Sequence, residues 1–465
     1  MRSALTLGAV AIAAATTLVH CASEDVRLGA VEDAGRSEDA PSEAEADAGA
    51  DVSDAATEDE YDIPDGSVIC EASPCVVALG GSFGVASYGS FCALLDDKTV
   101  QCWGSNLQMR LGYESDELAF DILPMSSAPH RVSNLSGVTS MSVGGDNTCA
   151  RKEDGSVLCW GLSDLVGAGM SPDAGPPPAS GALPTRMDLV PLAKDVAVGA
   201  RTACVRSASG GLSCWGNNAT FQLARRPSEP LAGPSEIPVG GRSIALAAPG
   251  ADSMFAITTS GELVSWGKND CPGSLSCTYL LGRDTSEDPD PVPALVPGLS
   301  KVRAVATTQK HTCAVAGRYV ECWGDNNDGQ LGRGAPGDVS MLPAPTILAR
   351  VTDAEDAGLP HRADIPLQIA ASGMQTCAVM GSGRVYCWGP EQPLHERGRP
   401  IRVDGLSGPA VALSLQGWTS CALLRSGVVE CWGGNLLGSL GRGIDDGILD
   451  TEWVDMQPAP VNFER

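Results

Sequence analysis

The stretch HTCAVAGRYVECWGDNNDGQLGRG, residues 311–334, decides the fold of this chain. Read alone it is a redox pair, a metal clip or a stapled hairpin. Its two cysteines, Cys313 and Cys322, flank a Gly317-Arg318 dipeptide of the kind that closes a two-residue hairpin loop. Such a loop sets Cys313 opposite Cys322, and facing residues on paired strands lie about 4.5–5.5 Å apart at Cα, within disulfide reach.

The pattern recurs. Trp-Gly occurs at Trp103, Trp160, Trp215, Trp266, Trp323, Trp388 and Trp432, with spacings of 57, 55, 51, 57, 65 and 44 residues. A period near 55 points to a stacked or circular array. Seven such units occupy about 385 residues, so the array and an N-terminal extension account for the whole chain. Each unit reads as short strands separated by turn residues, as in Val138–Cys149, the Glu153–Ser156 turn and Val157–Gly161. A fourth strand is expected in the Pro-flanked runs Pro291–Val296, Pro343–Leu348 and Pro400–Val403, where proline suits a sheet edge. The expectation is all-β: a seven-bladed β-propeller of four-stranded blades. Ring closure has two solutions. Either Pro458–Asn462 joins the first blade, or Cys75–Leu79 supplies that strand alone.

Cysteine spacing fits the hairpins. Cys92 pairs with Cys102, Cys149 with Cys159, Cys204 with Cys214, Cys313 with Cys322, Cys377 with Cys387, and Cys421 with Cys431. The fourth unit has Phe255 and Ser265 at these positions, so both cysteines are absent together. Cys271 with Cys277 and Cys70 with Cys75 form two further short-range pairs. Sixteen of the 17 cysteines are then used, and Cys21 is left over. Redox chemistry is disfavoured because there is no Cys-x-x-Cys. A zinc site is disfavoured because His20, His130, His311, His361 and His395 are scattered singly. The Trp-Gly residues are expected to be structural: Trp fills the space between blades, and Gly permits positive φ or a close backbone approach.

Residues 1–20 have the layout of a signal peptide: Arg2, then an apolar run from Ala4 to Val19. Leu18-Val19-His20-Cys21 resembles a bacterial lipobox, which implies lipidation of Cys21, although His20 replaces the usual small residue. Residues 22–66 hold 16 acidic residues against two basic ones and almost no large apolar side chains. Residues 21–67 therefore read as an acidic disordered tether, and 68–465 as the propeller. The net charge of −26 argues against nucleic acid and against adhesion to an anionic lipid surface. Seventeen cysteines indicate an oxidising compartment. The expected location is the bacterial envelope, with the lipid in the outer membrane; secretion is the alternative.

No catalytic, cofactor or metal motif emerges. Asp325–Gln330 fails the register of a calcium loop, there is no Gly-x-Ser-x-Gly elbow and no phosphate loop, and Asp445, Asp446, Asp450 and Glu452 read as a solvated loop. The units resemble the bacterial version of the regulator of chromosome condensation repeat: a Cys-Ala strand, Cys-Trp-Gly, Asn, Gly-Gln-Leu-Gly and a Pro-Val strand. Residues 311–334 match it best; Trp103–Gly112 and Trp432–Gly441 match well, and Gln222-Leu223-Ala224 loses the final Gly. Nuclear members of that family promote nucleotide exchange on a small GTPase and bind chromatin, and an exported acidic chain meets neither partner. An exported bacterial relative docks its propeller face on β-lactamases. The resemblance thus implies a monomeric, non-enzymatic binding or scaffold module for a protein or glycan partner. An envelope enzyme with a loop-built site and a purely structural surface protein are the competing readings. Insertions such as Arg350–Asp364 are where a binding face would be diversified.

Overall fold

In the computed structural model the described residues are 67–70, 73–82, 89–113, 125–170, 183–226, 231–269, 279–337, 339–348, 364–390, 397–443 and 454–463. They form seven four-stranded antiparallel sheets, each a meander of consecutive strands, arranged as a β-propeller. Blade 1 runs Val76–Ser82, Ser90–Leu95, Val100–Ser105 and Met125–Arg131. Blade 5, which holds the opening stretch, runs Val302–Thr307, His311–Ala316, Tyr319–Gly324 and Ser340–Pro345. Its outer strand begins three residues before the expected run. In blade 6 the outer strand shrinks to Ile401–Arg402.

The apolar core lies between the blades. Second strands such as Ser90–Leu95 and His311–Ala316 are buried along their whole length. They are covered on both faces, so their burial shows no alternation, and the polar Ser90, His311 and Thr312 are buried with the rest. Seven clusters result, one at each seam between neighbouring blades.

Each Trp of a Trp-Gly pair belongs to such a seam, and all seven are at most 4% exposed. Where the preceding loop keeps the Asn…Leu-Gly pattern, one device repeats. The Asn326 Oδ1 accepts from the Leu331 N–H at 3.2 Å. Asn106 and Leu111, Asn218 and Leu223, and Asn435 and Leu440 do the same at 3.0, 2.9 and 3.1 Å. This turn buries the Leu and aims the carbonyl just before it at the next blade. There the indole Nε1 donates: Trp160 to Arg110 O at 2.9 Å, Trp266 to Gln222 O at 2.8 Å, Trp388 to Gln330 O at 2.8 Å and Trp103 to Ser439 O at 3.0 Å. A buried indole N–H needs such an acceptor. The glycine after the Leu is then strongly favoured. At Gly332 φ is +64° and an added Cβ would lie 2.9 Å from Trp388 Nε1. Blade 3 has Ala224 at this position, held at φ +51°.

In blade 2 a short helix α1 (Ser163–Gly169) replaces the loop and buries Leu165 and Val166 against Trp215. Among the described residues Trp215 Nε1 is buried without a hydrogen-bond partner.

The six hairpin cysteine pairs face each other in register. Cys92 is bonded to Cys102, Cys149 to Cys159 and Cys204 to Cys214. Cys313 is bonded to Cys322, Cys377 to Cys387 and Cys421 to Cys431. The Cα–Cα distance is 4.1 Å in all six, slightly closer than facing strand residues usually lie. Across the Gly317-Arg318 turn, Ala316 faces Tyr319. Phe255 faces Ser265 in blade 4.

Ring closure follows the second of the two solutions. Val76–Ser82 pairs with blade 1's own second strand, and Val454–Pro460 is the outer strand of blade 7. The arrangement with Pro458–Asn462 in the first blade is therefore ruled out. The two ends close the ring by packing. Val461 joins Phe91 and Trp103 in the seam between blades 7 and 1, and Phe463 lies edge-on to Trp103 at 5.7 Å. From the other terminus, Ile69 N–H donates to Arg425 O at 2.7 Å and Val76 N–H to Gly427 O at 3.1 Å. The outer strands carry proline at their free edges (Pro291, Pro293, Pro343, Pro345), which removes donors that another strand would need.

Candidate interaction face

An up-and-down meander sends its turns to two faces. The turns between first and second strands lie on one face, together with the segments between third and fourth strands. The turns between second and third strands and the links from blade to blade lie on the other. On the first face, nearest the axis, one turn position recurs in every blade. It is the residue three before the first hairpin cysteine, or its equivalent: Gly89, Asp146, Arg201, Asp252, Lys310, Met374 and Trp418.

The backbone at this position is fixed. The residue after Trp-Gly donates its N–H to the turn carbonyl, from Leu162 to Asp146 O at 3.0 Å, Asn217 to Arg201 O at 2.9 Å, Asp325 to Lys310 O at 2.9 Å and Gly434 to Trp418 O at 2.9 Å. This contact explains the Gly of Trp-Gly. Gly324 has φ +107°, and a Cβ there would sit 2.6 Å from Lys310 O. The strand kinks as well, because the pairing register shifts between Cys322 and Gly324. All seven turns make this close approach to the Trp-Gly glycine, although Pro390 leaves blade 6 without the donor, and six residue types occupy the position, Asp recurring at 146 and 252.

Those side chains differ in what they offer. Asp146 is buried and paired with Arg110 at 2.7 Å, and burial pulls the Arg110 guanidinium below its ordinary range while Asp146 opposes that. Arg201 and Lys310 are exposed, and Asp252 and Met374 are half-buried. Trp418 is 53% exposed, unlike the seven Trp-Gly tryptophans. Its blade is braced against blade 6: Gly417 N–H donates to Ser372 Oγ at 2.8 Å, and Gln368 bridges to the Leu413 backbone, accepting at 2.6 Å and donating at 3.2 Å. The Trp418 side chain is therefore presented on a rigid turn.

Just beneath the rim, His311 is fully buried, with Nε2 2.6 Å from Thr376 Oγ1 of the next blade and Nδ1 3.2 Å from Thr308 Oγ1. Burial pushes its pKa down to about 3, so it is a neutral seam residue at physiological pH. Among the described residues no three His, Cys, Asp or Glu side chains gather as metal ligands. Two shallow grooves open on the opposite face, one of ≈ 520 Å³ along Ser209–Gly211 and Glu236–Ser243, the other of ≈ 340 Å³ between Ser73-Pro74 and Arg131. The Asp325–Gln330 run forms a turn in which Asn327 N–H donates to Asp325 Oδ1 at 3.1 Å and Asp328 N–H to Gln330 Oε1 at 2.9 Å.

The cysteines and tryptophans singled out in the sequence do not converge on a common site. Cys92 and Cys102, Cys149 and Cys159, Cys204 and Cys214, Cys313 and Cys322, Cys377 and Cys387, and Cys421 and Cys431 each stay within one hairpin, buried in the seams. The Trp-Gly tryptophans lie in the same seams. Cys70 and Cys75 form a seventh disulfide. Cys21, Cys271, Cys277, the tether, and Asp445, Asp446, Asp450 and Glu452 lie outside the described residues. So does the Arg350–Asp364 insertion apart from Asp364; it links blade 5 to blade 6, so its described ends are on the face away from the rim. The rim was missed from sequence. Its signal was available as the residue three before each first cysteine or its equivalent, where Gly, Asp, Arg, Lys, Met and Trp all occur.

Residues 138–165 match the family model of the Regulator of chromosome condensation (RCC1) repeat. The chain is 27% identical over 326 residues to the ultraviolet-B receptor UVR8 of Arabidopsis thaliana, covering 68% of this chain and 64% of the receptor. It is 26% identical over 332 residues to protein pim1 of Schizosaccharomyces pombe, covering 64% of this chain and 56% of pim1. The match thus spans between 56% and 64% of the length of these relatives. Among solved structures, Prp20p of Saccharomyces cerevisiae superposes with a TM-score of 0.61 at 19% identity, covering 80% of this chain and 87% of Prp20p. Human WBSCR16 superposes with a TM-score of 0.60 at 18% identity, covering 75% and 86%. These structural likenesses establish the fold.

Proposed function

The chain is a propeller of regulator of chromosome condensation repeats, and from that premise we propose that it is a non-enzymatic binding module, exported and lipid-anchored through Cys21, which holds a protein partner on the rim formed by Arg201, Asp252, Lys310, Met374 and Trp418. The observation that carries this reading is that one shared turn presents chemically different side chains from blade to blade, among them the exposed Arg201, Lys310 and Trp418. A scaffold with no ligand gains nothing from an exposed indole on a braced turn, whereas exposed aromatic and basic anchors are what interfaces spend their energy on. Prp20p is a relative whose structure is described with its binding to Gsp1p and histones, which supports a protein as the partner class. A glycan stacked on Trp418 is the second occupant of the same surface.

Export is supported by the disulfides, which persist in oxidising compartments. Among the described residues no helix is long and apolar enough to cross a membrane. In this reading residues 1–20 are removed, 21–67 form the tether and 68–465 the monomeric propeller at the outer membrane's periphery. The test is affinity capture from envelope extracts with the full chain, with Trp418→Ala and with Leu192→Ala on the opposite face. A partner retained by Leu192→Ala and lost by Trp418→Ala is expected. A partner retained by both variants would remove the rim from the proposal. Labelling with a fatty-acid analogue, with and without globomycin, tests the lipid on Cys21, and unlabelled protein in the medium would refute it.

A further inference from the structure

We propose that the Cys70–Cys75 disulfide is a thiol-exchange site, opened by a dithiol, whose reduction releases the N-terminal latch that closes the ring between blades 7 and 1. The six hairpin disulfides are sealed: their cysteines are 0–7% exposed and lie inside the seam clusters. Cys70 is exposed, while its partner Cys75 is 1% exposed. Thiol–disulfide exchange needs a thiolate to reach a sulfur along the bond axis, so among the described residues access selects this bridge over the six hairpin disulfides.

The bridge stands at a joint. Cys75 Sγ packs against the backbone of Gly427 so closely that a Cβ there would lie 2.3 Å from it. The Gly427 turn belongs to blade 7, and the strand that starts at Val76 belongs to blade 1. Ile69 and Val76, on the two sides of the bridge, donate to Arg425 O and Gly427 O, and Val68 packs on the seam cluster with Phe91 and Trp103. Cys75 N–H is held by Asp96 Oδ1 at 3.3 Å. The disulfide thus folds the incoming chain back so that both of its arms touch the same turn of blade 7.

One thiolate of the dithiol attacks Cys70 Sγ, the Cys70–Cys75 bond breaks, and Cys75 leaves as a thiolate and takes a proton. The second thiolate attacks the mixed disulfide, closes the reagent's own disulfide and releases Cys70, which is protonated in turn. Two electrons pass from the dithiol to the protein. The Cys70 arm is then no longer bent back, and the Ile69–Arg425 hydrogen bond loses its restraint. The Cys75 arm stays in place as the start of the inner strand. The outcome is a loosened latch on an intact propeller.

The experiment uses the full oxidised chain. Brief treatment with dithiothreitol is followed by alkylation and peptide mapping, and amide hydrogen exchange is read on the partly reduced protein and on a double variant, Cys70→Ser with Cys75→Ser. Cys70 and Cys75 are expected to be alkylated at least about ten-fold faster than any hairpin cysteine, since local access and opening set the rate. Exchange is expected to rise at the Ile69 amide, which donates to Arg425 O, in both the reduced protein and the variant, with the other seams unchanged. Hairpin cysteines reacting as fast as Cys70 would overturn the site. Unchanged protection of the Ile69 amide in both forms would overturn the latch.

Discussion

Replacing Gly332 by Ala measures how far the Leu-Gly step holds two blades together. The added Cβ would lie 2.9 Å from Trp388 Nε1 and 3.0 Å from Cε2. The indole cannot easily retreat, because its Nε1 is bonded to Gln330 O at 2.8 Å and its residue is 1% exposed. Alanine at a positive φ costs about 1–2 kcal/mol, and overpacking a filled seam costs about 1–3 kcal/mol. The stiffer unfolded chain returns about 0.4–1 kcal/mol. The net expectation is a loss of about 2–4 kcal/mol. The protein also holds the reverse experiment. Ala224 occupies the same step at φ +51° in front of Trp266. There Ala224→Gly should relieve the strain and lose only the unfolded-state term, a gain of about 0.5–1 kcal/mol. The assay is urea unfolding with disulfides kept oxidised, comparing midpoints at unchanged slope. A Gly332→Ala loss below about 0.5 kcal/mol, or a destabilised Ala224→Gly, would refute the account of the seam.

Other perturbations follow from the same geometry. Trp323→Phe removes the donor to Leu280 O, now at 2.8 Å, and should cost about 1–3 kcal/mol through the under-satisfied carbonyl and the lost ring, read in the same urea series. His311 has a folded pKa of about 3 against 6.5 in the unfolded chain. The unfolded state binds the extra proton, so stability is full above pH 6.5 and falls as pH drops toward 3, by roughly 3 kcal/mol at pH 4.5. Urea midpoints of His311→Gln should flatten with pH relative to the parent, and parallel curves would count against the neutral histidine. Deleting residues 461–465 removes Val461 and Phe463 from Trp103 and should lower stability by about 3 kcal/mol, with faster hydrogen exchange confined first to blades 1 and 7.

Much of this was legible in the sequence because the repeat is a message about seams. The Trp-Gly recurrence set the blade count, and the paired loss at Phe255 and Ser265 marked the cysteines as partners of each other. The reason is local: a hairpin's register is set by its own loop, so Cys313 finds Cys322 without help from the rest of the chain. The same holds for Cys92 with Cys102 and for Cys421 with Cys431, whose loops are one residue longer. The coupling of Asn326, Leu331 and Gly332 to Trp388 was visible only as motif letters. Its meaning lies in a carbonyl of one blade and an indole of the next, 58 residues apart.

By itself, then, the sequence determined the propeller, its seven units and the hairpin pairing, since these depend on periodicity and short-range contacts. Only the tertiary structure decided how the ring closes, because Val461, Phe463, Ile69 and Cys75 act across a seam between chain ends that no local pattern connects. It also decided the face. Gly89, Asp146, Arg201, Asp252, Lys310, Met374 and Trp418 become one rim when seven separate turns are bent around a common axis, and the exposure of Trp418, a residue that the absence of a following Gly only sets apart, is a fact of that arrangement.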